Sequence, residues 1–256
     1  MTLELLILPC LTDNYAYLLR DGARGTVALI DAPDAGPVLE ALAARGWGLD
    51  LIALTHHHGD HIAGVGEIVA ATGAKVAGAA ADAHRLPPLD IALRGGDRLE
   101  IAGAAAEVIE VPGHTIGHIA FHLPGAGLLF SGDSLMSWGC GRLFEGAPAQ
   151  MLASLRRLAA LPGETLVCSG HEYTEANGRF ALALEPENPD LVARMAAVKA
   201  ARAAGQPTVP APLSLEIATN PFLRYGAAEL RAALGLAPGA TDLACFTEAR
   251  ARKDRF

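Results

Sequence analysis

The segment Thr55-His56-His57-His58-Gly59-Asp60-His61 decides how this sequence folds and what chemistry it carries. It directly follows an apolar run at residues 51–54, and it holds four of the nine histidines of the chain within six positions. Imidazole and carboxylate groups are ligands that zinc and iron accept, and functional side chains collect in loops at strand ends. The segment therefore predicts a metal site beside a buried strand.

The spacing within this segment predicts which side chains face the metal. In an extended loop, His56 and His58 point to the same side and His57 points away. A tight turn at Gly59 then brings Asp60 and His61 to a second position. One short segment therefore offers two ligands to each of two ions.

Three later segments each present one further candidate ligand. His114 follows Pro112-Gly113, and Asp133 and His171 each follow a Ser-Gly pair near the end of a predicted strand. Glycine before the ligand lets the backbone approach closely, so the repeated arrangement is more specific than any one member. For the isolated His84, His118 and His122 we favour an ordinary hydrogen-bonded role, and His57 is expected to support the loop or face solvent.

Composition limits the classes of function. The net charge is −8, so the sequence lacks the basic excess typical of nucleic-acid binding. The four cysteines are scattered and are expected to be reduced thiols. The first residues lack the basic region of a signal peptide and no apolar stretch is long enough to span a membrane. We therefore expect a cytoplasmic monomer without a nucleic-acid or membrane partner.

Apolar periodicity predicts two regions of different texture. In the first region, strands are predicted at residues 5–8, 15–19, 26–30, 51–54, 108–111, 119–123, 128–130 and 165–168, with helices at 37–44, 63–71 and 148–160. After His171 the pattern is helical, at residues 174–184, 189–204, 227–234 and 242–252, with one strand at 215–218 and a proline-rich connector at 207–212. The sequence thus predicts an α/β domain over 1–171 and a smaller helical domain over 172–256.

The histidine segment, together with the three later ligands, resembles the metallo-β-lactamase superfamily. That resemblance implies a four-layer αβ/βα sandwich with two divalent metal ions, most simply zinc, with iron and manganese as alternatives. The two ions would be shared between the two groups of ligands, with Asp133 bridging both ions and Asp60 and Asp133 as the catalytic carboxylates. One ion would take His56, His58 and His114, and the other would take Asp60, His61 and His171.

A closer resemblance, spanning nearly the whole chain, is to the hydroxyacylglutathione hydrolase (glyoxalase II) family. Five separated motifs carry it in the right order. They are Pro9-Cys10-Leu11-Thr12-Asp13-Asn14-Tyr15, Gly139-Cys140-Gly141-Arg142-Leu143-Phe144-Glu145-Gly146, Gly170-His171-Glu172-Tyr173-Thr174, Asn220-Pro221-Phe222-Leu223-Arg224, and Arg250-x-x-Lys253-Asp254.

This resemblance implies hydrolysis of S-(2-hydroxyacyl)glutathione thioesters, chiefly S-D-lactoylglutathione, by a hydroxide held between the two ions. The glutathione part would be bound by Arg142, Phe144, Tyr173, Arg250 and Lys253. Two of these depart from the family, which usually has lysine where Arg142 stands and tyrosine where Phe144 stands. The loss of the hydroxyl puts one ligand hydrogen bond in doubt.

Other functions remain open at this stage. A mono-iron persulfide dioxygenase has similar motifs, and other hydrolases of the superfamily, such as lactonases, share the metal ligands. The basic pair near the C-terminus favours a glutathione derivative, although a solvated basic helix end would look the same. The sequence does not choose the metal or the acyl group.

Overall fold

The computed structural model describes residues 3–256. Met1 and Thr2, the first residues of the segment that lacks a basic region, lie outside the described residues. The chain divides into two compact units. One unit comprises the described residues up to Glu110 together with Gly117–Gly132, and the other comprises Val111–Ile116 and Asp133–Phe256. Each unit is built from its own strands and helices.

The first unit contains a six-stranded sheet. Its strands are β1 (Leu3–Cys10), β2 (Asn14–Asp21), β3 (Val27–Ile30), β4 (Leu51–Ala53), β5 (Lys75–Ala79) and β6 (Ile91–Leu93), paired in sequence order. The first three strands are antiparallel and the rest run parallel from β3 onward. Every residue of β3 and β4 is buried, which explains why these strands are continuous apolar runs without polar alternation.

Three helices follow the parallel strands of this sheet: α1 (Ala35–Arg45), the single turn α2 (Gly59–Ile62) and α3 (Val65–Thr72). The side chain of Asp34 caps α1 by accepting from the Gly36 amide, and Gly46 ends the helix in the left-handed conformation, as helix capping favours. Val38 and Leu42 of α1 and Ile68 of α3 are buried in one apolar cluster with strands β1 to β5. This core fixes the strand ends from which the histidine segment emerges.

Four more strands of the first unit form an antiparallel arrangement. They are β7 (Arg98–Ile101), β8 (Ala104–Glu110), β9 (Ile119–Leu123) and β10 (Leu128–Gly132), and each pairs with the next. Exposed and buried residues alternate along β7 and β8, whereas β9 and β10 are buried throughout. The outer pair therefore shows the polar alternation of a half-solvated sheet, and the inner pair does not.

The second unit is mostly helical. Its strands are short: β11 (Leu135–Met136), β12 (Gly139–Cys140), β13 (Leu166–Ser169) and β14 (Ala211–Pro212). Its helices are α4 (Pro148–Ala159), α5 (Thr174–Leu184), α6 (Pro189–Ala203), α7 (Leu213–Thr219), α8 (Ala228–Ala233) and α9 (Asp242–Arg255). Pro148 and Pro189 begin their helices, where the missing amide hydrogen costs nothing. Within the described part of the chain, no helix is both long and apolar enough to cross a bilayer.

Most predicted elements are present, and one is wrong. Residues 215–218 were predicted as a strand, but they lie within α7. Leu213, Glu216 and Thr219 are the buried residues of that segment, and their spacing of three is helical. Glu216 is fully buried and ion-paired with Arg194, so tertiary contacts that a local pattern cannot show select the helix.

Three strands of the first unit were not predicted. β5 reads Lys-Val-Ala-Gly-Ala, β6 is only three residues long, and β7 alternates polar and apolar residues over just four positions. Alanine and glycine carry little strand preference, so pairing with neighbours determines these strands.

Candidate active site

The histidine segment forms the loop that follows β4. The Nε2 atom of His56 lies 3.2 Å from Nδ1 of His58, and the ring centroids of His56 and His61 are 4.2 Å apart. His56 and His61 are fully buried, whereas the Asp60 side chain is 44% exposed. Gly59 is the first residue of the one-turn helix α2, so a helical turn, and not an isolated tight turn, brings Asp60 and His61 back toward His56.

A buried carboxylate, that of Asp31, binds two residues of this loop. Asp31 directly follows β3 and adopts a left-handed backbone with φ 54°, a conformation that aspartate tolerates better than most residues. Its Oδ1 accepts from the Thr55 amide at 2.8 Å, and its Oδ2 lies 2.8 Å from both the Thr55 hydroxyl and Nδ1 of His61. The carboxylate holds the proton of His61 on Nδ1, which leaves the lone pair on Nε2, as in carboxylate–histidine–metal arrangements.

Two further side chains of the same unit orient the loop. The Nδ2 atom of Asn14 donates to the Asp60 carbonyl at 2.9 Å and to Oδ2 of Asp60 at 3.1 Å. The His118 ring stacks on His56 with centroids 4.7 Å apart and planes 13° from parallel. Asn14 belongs to the family-like N-terminal motif, so its role in the loop gives that motif a physical reason.

The His57 side chain contacts Asp82, and its ring lies edge-on to His58 with centroids 5.0 Å apart. Its Nδ1 lies 3.0 Å from Oδ2 of Asp82, and Arg85 donates to the other carboxylate oxygen. Asp82 is buried, and a Cβ added at Gly117 would lie 2.2 Å from its carboxyl carbon. His57 therefore anchors the loop to the buried carboxylate of Asp82, which is also ion-paired with the partly exposed Arg85.

The second unit brings the three later candidate ligands together. Oδ2 of Asp133 lies 3.5 Å from Nε2 of His114 and 3.3 Å from Nε2 of His171. All three residues are buried. Nδ1 of His114 is 2.8 Å from the Arg142 carbonyl, which only accepts, so the proton lies on Nδ1 and the lone pair of the ring lies on Nε2. A carboxylate that lies close to two imidazole nitrogens is an arrangement suited to binding a cation.

The segment predicted as the substrate loop, residues 139–146, begins with β12. The Gly141 amide donates to the Asp133 carbonyl at 2.9 Å. A Cβ at position 141 would lie 2.3 Å from that carbonyl oxygen and 2.7 Å from Nδ1 of His114, so no larger side chain fits there. The loop therefore touches two candidate ligands through its backbone, and Arg142, the next residue, is exposed.

Two aromatic residues predicted to bind substrate lie on candidate ligands. The Phe144 ring packs edge-on against His114 with centroids 5.4 Å apart, and the Tyr173 ring stacks on His171 at 4.6 Å. Phe144 is 64% exposed and Tyr173 is 37% exposed. Large apolar rings that remain accessible beside candidate ligands are suited to contact with a bound molecule.

Basic residues from several elements gather in the second unit. Burial and the positive charges of Arg250, Arg142 and Arg179 lower the pKa of Lys253, and Asp254 opposes this only in part. The ammonium form of Lys253 is destabilised first by burial and then by the positive charge around it. An anionic ligand would relieve that repulsion. Arg250 itself is buried, and its guanidinium contacts Asp254, Cys140 and Phe222.

The four cysteines are free and buried, as the sequence predicts. Burial raises the pKa of Cys10 and of Cys140 to about 11, so both thiols are protonated at neutral pH. The candidate ligand set is therefore histidine and carboxylate, without thiolate. Such a donor set, with imidazole protons already held by oxygen acceptors, fits a hard or borderline divalent ion.

Two supporting residues, Asp31 and Asp82, were not predicted from the sequence. Asp31 comes directly after an apolar strand, as the ligand loops do, and that position was an available signal. Asp82 lies in a short 3₁₀ turn after an unpredicted strand, and nothing in its neighbourhood marks it. His118 was assigned an ordinary hydrogen-bonded role or support of the site, and its stacking on His56 agrees with support.

Comparison with known proteins covers the whole chain. The family model "Metallo-beta-lactamase superfamily" matches residues 11–171, and the model "Hydroxyacylglutathione hydrolase C-terminus" matches residues 172–256. Relatives named hydroxyacylglutathione hydrolase come from Rhodobacter capsulatus, with 66% identity over 256 residues, and from Cereibacter sphaeroides strain ATCC 17025, with 62%. Both alignments cover 100% of this chain and 100% of the relative.

Solved structures of lower identity show the same fold. ETHE1 from Myxococcus xanthus has a TM-score of 0.65 at 26% identity and covers 99% of this chain and 100% of its own. TTHA1623, solved in a di-iron-bound form, has a TM-score of 0.61 at 30% identity and covers 86% of this chain and 100% of its own.

These matches explain why the histidine loop, the later candidate ligands and the helical C-terminal region occur in one chain. The fold is that of the metallo-β-lactamase superfamily, as predicted. Full-length identity of 54–66% to the curated relatives covers both the ligand segments and the region after them. The chain belongs to the hydroxyacylglutathione hydrolase family of the metallo-β-lactamase superfamily.

Proposed function

We propose that this chain hydrolyses S-(2-hydroxyacyl)glutathione thioesters, chiefly S-D-lactoylglutathione, to a 2-hydroxy acid and glutathione. The observation that carries the proposal is the coincidence of two features. Each unit presents oriented histidine and carboxylate donors, and the full-length relatives at 54–66% identity are named hydroxyacylglutathione hydrolase. Metal-assisted thioester hydrolysis needs no nucleophilic serine or cysteine, and the buried, protonated thiols suit that chemistry.

We further propose that the chain holds two divalent ions. One ion would take His56, His58 and His114, the other would take Asp60, His61 and His171, and Asp133 would contact both. Support comes from the donor chemistry of each half and from the 30% identical TTHA1623, which binds two irons. Zinc is the metal we propose, with iron and manganese as alternatives, because all three accept histidine and carboxylate.

The ions, when bound, would lower the pKa of a water molecule enough to supply hydroxide near neutral pH. The protein's own part is to arrange charge and orientation around that water. Asp133 is proposed to orient it, and Asp60, held by Asn14, contributes negative charge on the exposed side. A thiolate is a good leaving group, so little acid assistance is needed, and the described residues show no cysteine thiolate competing as nucleophile.

Binding of the glutathione part is proposed to use the basic cluster of the second unit. Arg142, Arg250 and Lys253 supply positive charge, and Phe144 and Tyr173 supply accessible rings. Glutathione has two carboxylates, and a bound anion would offset the positive charge that, together with burial, lowers the pKa of Lys253. The substitution of phenylalanine for tyrosine at 144 removes one possible hydrogen bond without removing the ring.

The predicted domain division also stays a proposal. We propose a catalytic domain over 1–171 and a helical substrate-binding domain over 172–256, which the limits of the two family models support. A cytoplasmic location and a monomeric state are likewise proposed, together with a glutathione thioester as the small-molecule partner and no nucleic acid or membrane partner.

The test is hydrolysis of S-D-lactoylglutathione, followed by loss of thioester absorbance, with metal content measured on the same preparation. We expect rapid turnover and close to two ions per chain. A fully metallated protein that leaves the thioester intact would refute the substrate assignment. Oxygen consumption with glutathione persulfide would then test the dioxygenase alternative, which the 54–66% identical relatives do not favour.

A further inference from the structure

A tight turn connects Asp133 to the substrate loop. The strand β11 begins two residues after Asp133, it pairs with β12, and residues 136–139 make the turn between them. The Gly141 amide donates to the Asp133 carbonyl at 2.9 Å and closes the hairpin. Trp138, in the turn, is fully buried and has a left-handed backbone with φ 55°. A bulky residue adopts that conformation only where its surroundings enforce it.

A buried ion pair lies against this turn. Glu216 of α7 is fully buried, and its Oε2 accepts from the Trp138 amide at 2.8 Å. Its Oε1 is ion-paired with Arg194 of α6. The guanidinium carbon of Arg194 lies 4.3 Å from the centroid of the Trp138 ring, and Nη2 donates to the Ser137 hydroxyl at 3.2 Å. The carboxylate therefore binds the backbone of the strained residue, and the guanidinium covers its ring.

Two amide side chains bind the carbonyls of the same turn. Nδ2 of Asn220, the C-cap of α7, donates to the Met136 carbonyl at 3.0 Å and to the Gly139 carbonyl at 3.1 Å. Nδ2 of Asn177, in α5, donates to the Ser137 carbonyl at 3.0 Å. Side chains of the helical region thus satisfy backbone groups that are buried away from water. Four buried residues surround the turn, and we call them the turn cluster: Asn177, Arg194, Glu216 and Asn220.

Stability alone does not account for the ion pair in the turn cluster. Taking two charges out of water offsets much of their attraction, and apolar residues of similar volume often stabilise a fold equally well or better. Apolar residues could not supply an acceptor for the Trp138 amide. That amide lies in the turn between Asp133 and the substrate loop, so the polar pair is placed where it sets geometry.

We propose that the members of the turn cluster are positioning residues, which fix the turn at residues 136–139 and, through it, Asp133 and the substrate loop. Glu216 is the central member because it binds the strained residue directly. The helical region then shapes the candidate metal site through buried polar groups, apart from any contact that it makes with substrate. The role of Asp133 rests on the proposed function, whereas the effect on the turn does not.

Two double variants separate geometry from stability. Arg194→Met with Glu216→Leu removes both charges and the acceptor. Arg194→Met with Glu216→Gln removes both charges but keeps an acceptor oxygen for the Trp138 amide. On each zinc-loaded protein we measure hydrogen exchange of the peptide covering residues 133–142, metal affinity by competition with a chelator, the midpoint of thermal unfolding, and the steady-state constants with S-D-lactoylglutathione.

The variant with leucine should keep an unfolding midpoint near that of the parent, because apolar residues replace the ion pair. We expect faster exchange in residues 133–142, with metal affinity and kcat lower by about 10–100-fold, the range for groups that orient metal ligands. The variant with glutamine should recover most of the protection and the affinity. Equal exchange and equal metal affinity in the two folded variants would overturn the proposal, because the acceptor would then have no effect on the turn.

Asn177→Ala tests the turn cluster even if the double variants do not fold, because it removes only the donor to the Ser137 carbonyl. We expect faster exchange in residues 133–142 and metal affinity lower by about 10-fold, the lower end of the same range. Parental exchange in this variant would overturn the proposal.

The matched control is Asn188→Ala, which removes the cap of α6 but touches no residue of the turn in the described structure. It should lower the unfolding midpoint and leave exchange in residues 133–142 and metal affinity at parental values. If it reproduces the effect of Asn177→Ala, lost stability is the cause and the proposal is wrong. Because exchange needs no substrate, a metallated parent that leaves the thioester intact would refute the proposed function alone.

Discussion

The two halves of the candidate site are held in different ways. In the first unit, side-chain carboxylates orient the histidine loop: Asp31 binds Thr55 and His61, and Asp82 binds His57. In the second unit, backbone groups of the substrate loop fix Asp133 and His114 through Gly141 and Arg142. The first half therefore depends on charge, and the second depends on close backbone approach. The two halves should fail under different substitutions.

The largest effect is expected at Asp133, a carboxylate that lies between two histidines of the second unit. Asp133→Ala removes the carboxylate that lies between His114 and His171, so we expect loss of metal and a fall in turnover of about 10³-fold, the upper range for removing one stabilising group. Turnover and metal content are measured on the same sample. Near-parental turnover with full metal content would contradict the bridging assignment.

A single methyl group should disrupt the second half. In Gly141→Ala the added Cβ would lie 2.3 Å from the Asp133 carbonyl oxygen and 2.7 Å from the His114 ring, so both ligands must shift. We expect metal affinity to fall about 10–100-fold, as for other residues that orient ligands. Metal affinity is measured by competition with a chelator.

The matched control for this prediction is Gly226→Ala, also in the second unit, where an added Cβ meets nothing within 4 Å. It should retain parental metal affinity. Equal affinity in Gly141→Ala would mean that the loop yields to the extra methyl, and that close backbone approach does not define the second half.

Asp133 and Gly141 show what could and what could not be predicted from the sequence. Asp133 was predicted because a carboxylate after glycine at a strand end is a local pattern, and the same pattern gave His114 and His171. Gly141 belonged to a predicted motif, but the need for glycine there comes from its close approach to Asp133 and His114. These residues lie 8 and 27 positions earlier in the chain, so no local pattern shows the contact.

The remaining misses have the same cause. α7 was predicted as a strand because its apolar residues alternate, whereas burial of Glu216 against Arg194 selects the helix. For Arg250, which remains a predicted substrate-binding residue, spacing gave the face of the helix and did not show the contacts with Asp254 and the Cys140 carbonyl. Local sequence thus shows which residue types are present, and long-range partners determine what each one does.

In the first unit, metal affinity should fall when a carboxylate is replaced by an amide of nearly the same size. Asp31→Asn is nearly isosteric, but an amide has one acceptor oxygen where the carboxylate has two, and Asp31 accepts from the Thr55 amide, the Thr55 hydroxyl and His61. We expect a loss of metal affinity of about 10-fold, the lower range for supporting residues. The measurement is again chelator competition.

A matched change at another acidic residue, Asp50→Asn, controls for loss of negative charge. Asp50 also accepts from a backbone amide, that of Val27, but it contacts no residue of the histidine loop in the described structure. It should retain parental metal affinity. If Asp31→Asn behaves in the same way, the carboxylates of the first unit serve the fold, and the contrast between the two halves disappears.

The smallest effect is expected at Phe144, which tests binding without disturbing either half. Phe144→Tyr keeps the ring on His114 and restores the hydroxyl that the family usually has. A neutral hydrogen bond is worth about 0.5–1.5 kcal/mol, so KM for S-D-lactoylglutathione should fall roughly 2–10-fold with kcat unchanged. Phe144→Leu is the opposite variant: it removes the ring and should raise KM. Because the side chain is 64% exposed, neither change should alter metal content. An unchanged KM in Phe144→Tyr would mean that this position meets the substrate through its ring alone, so that the departure from the family at 144 carries no loss of affinity.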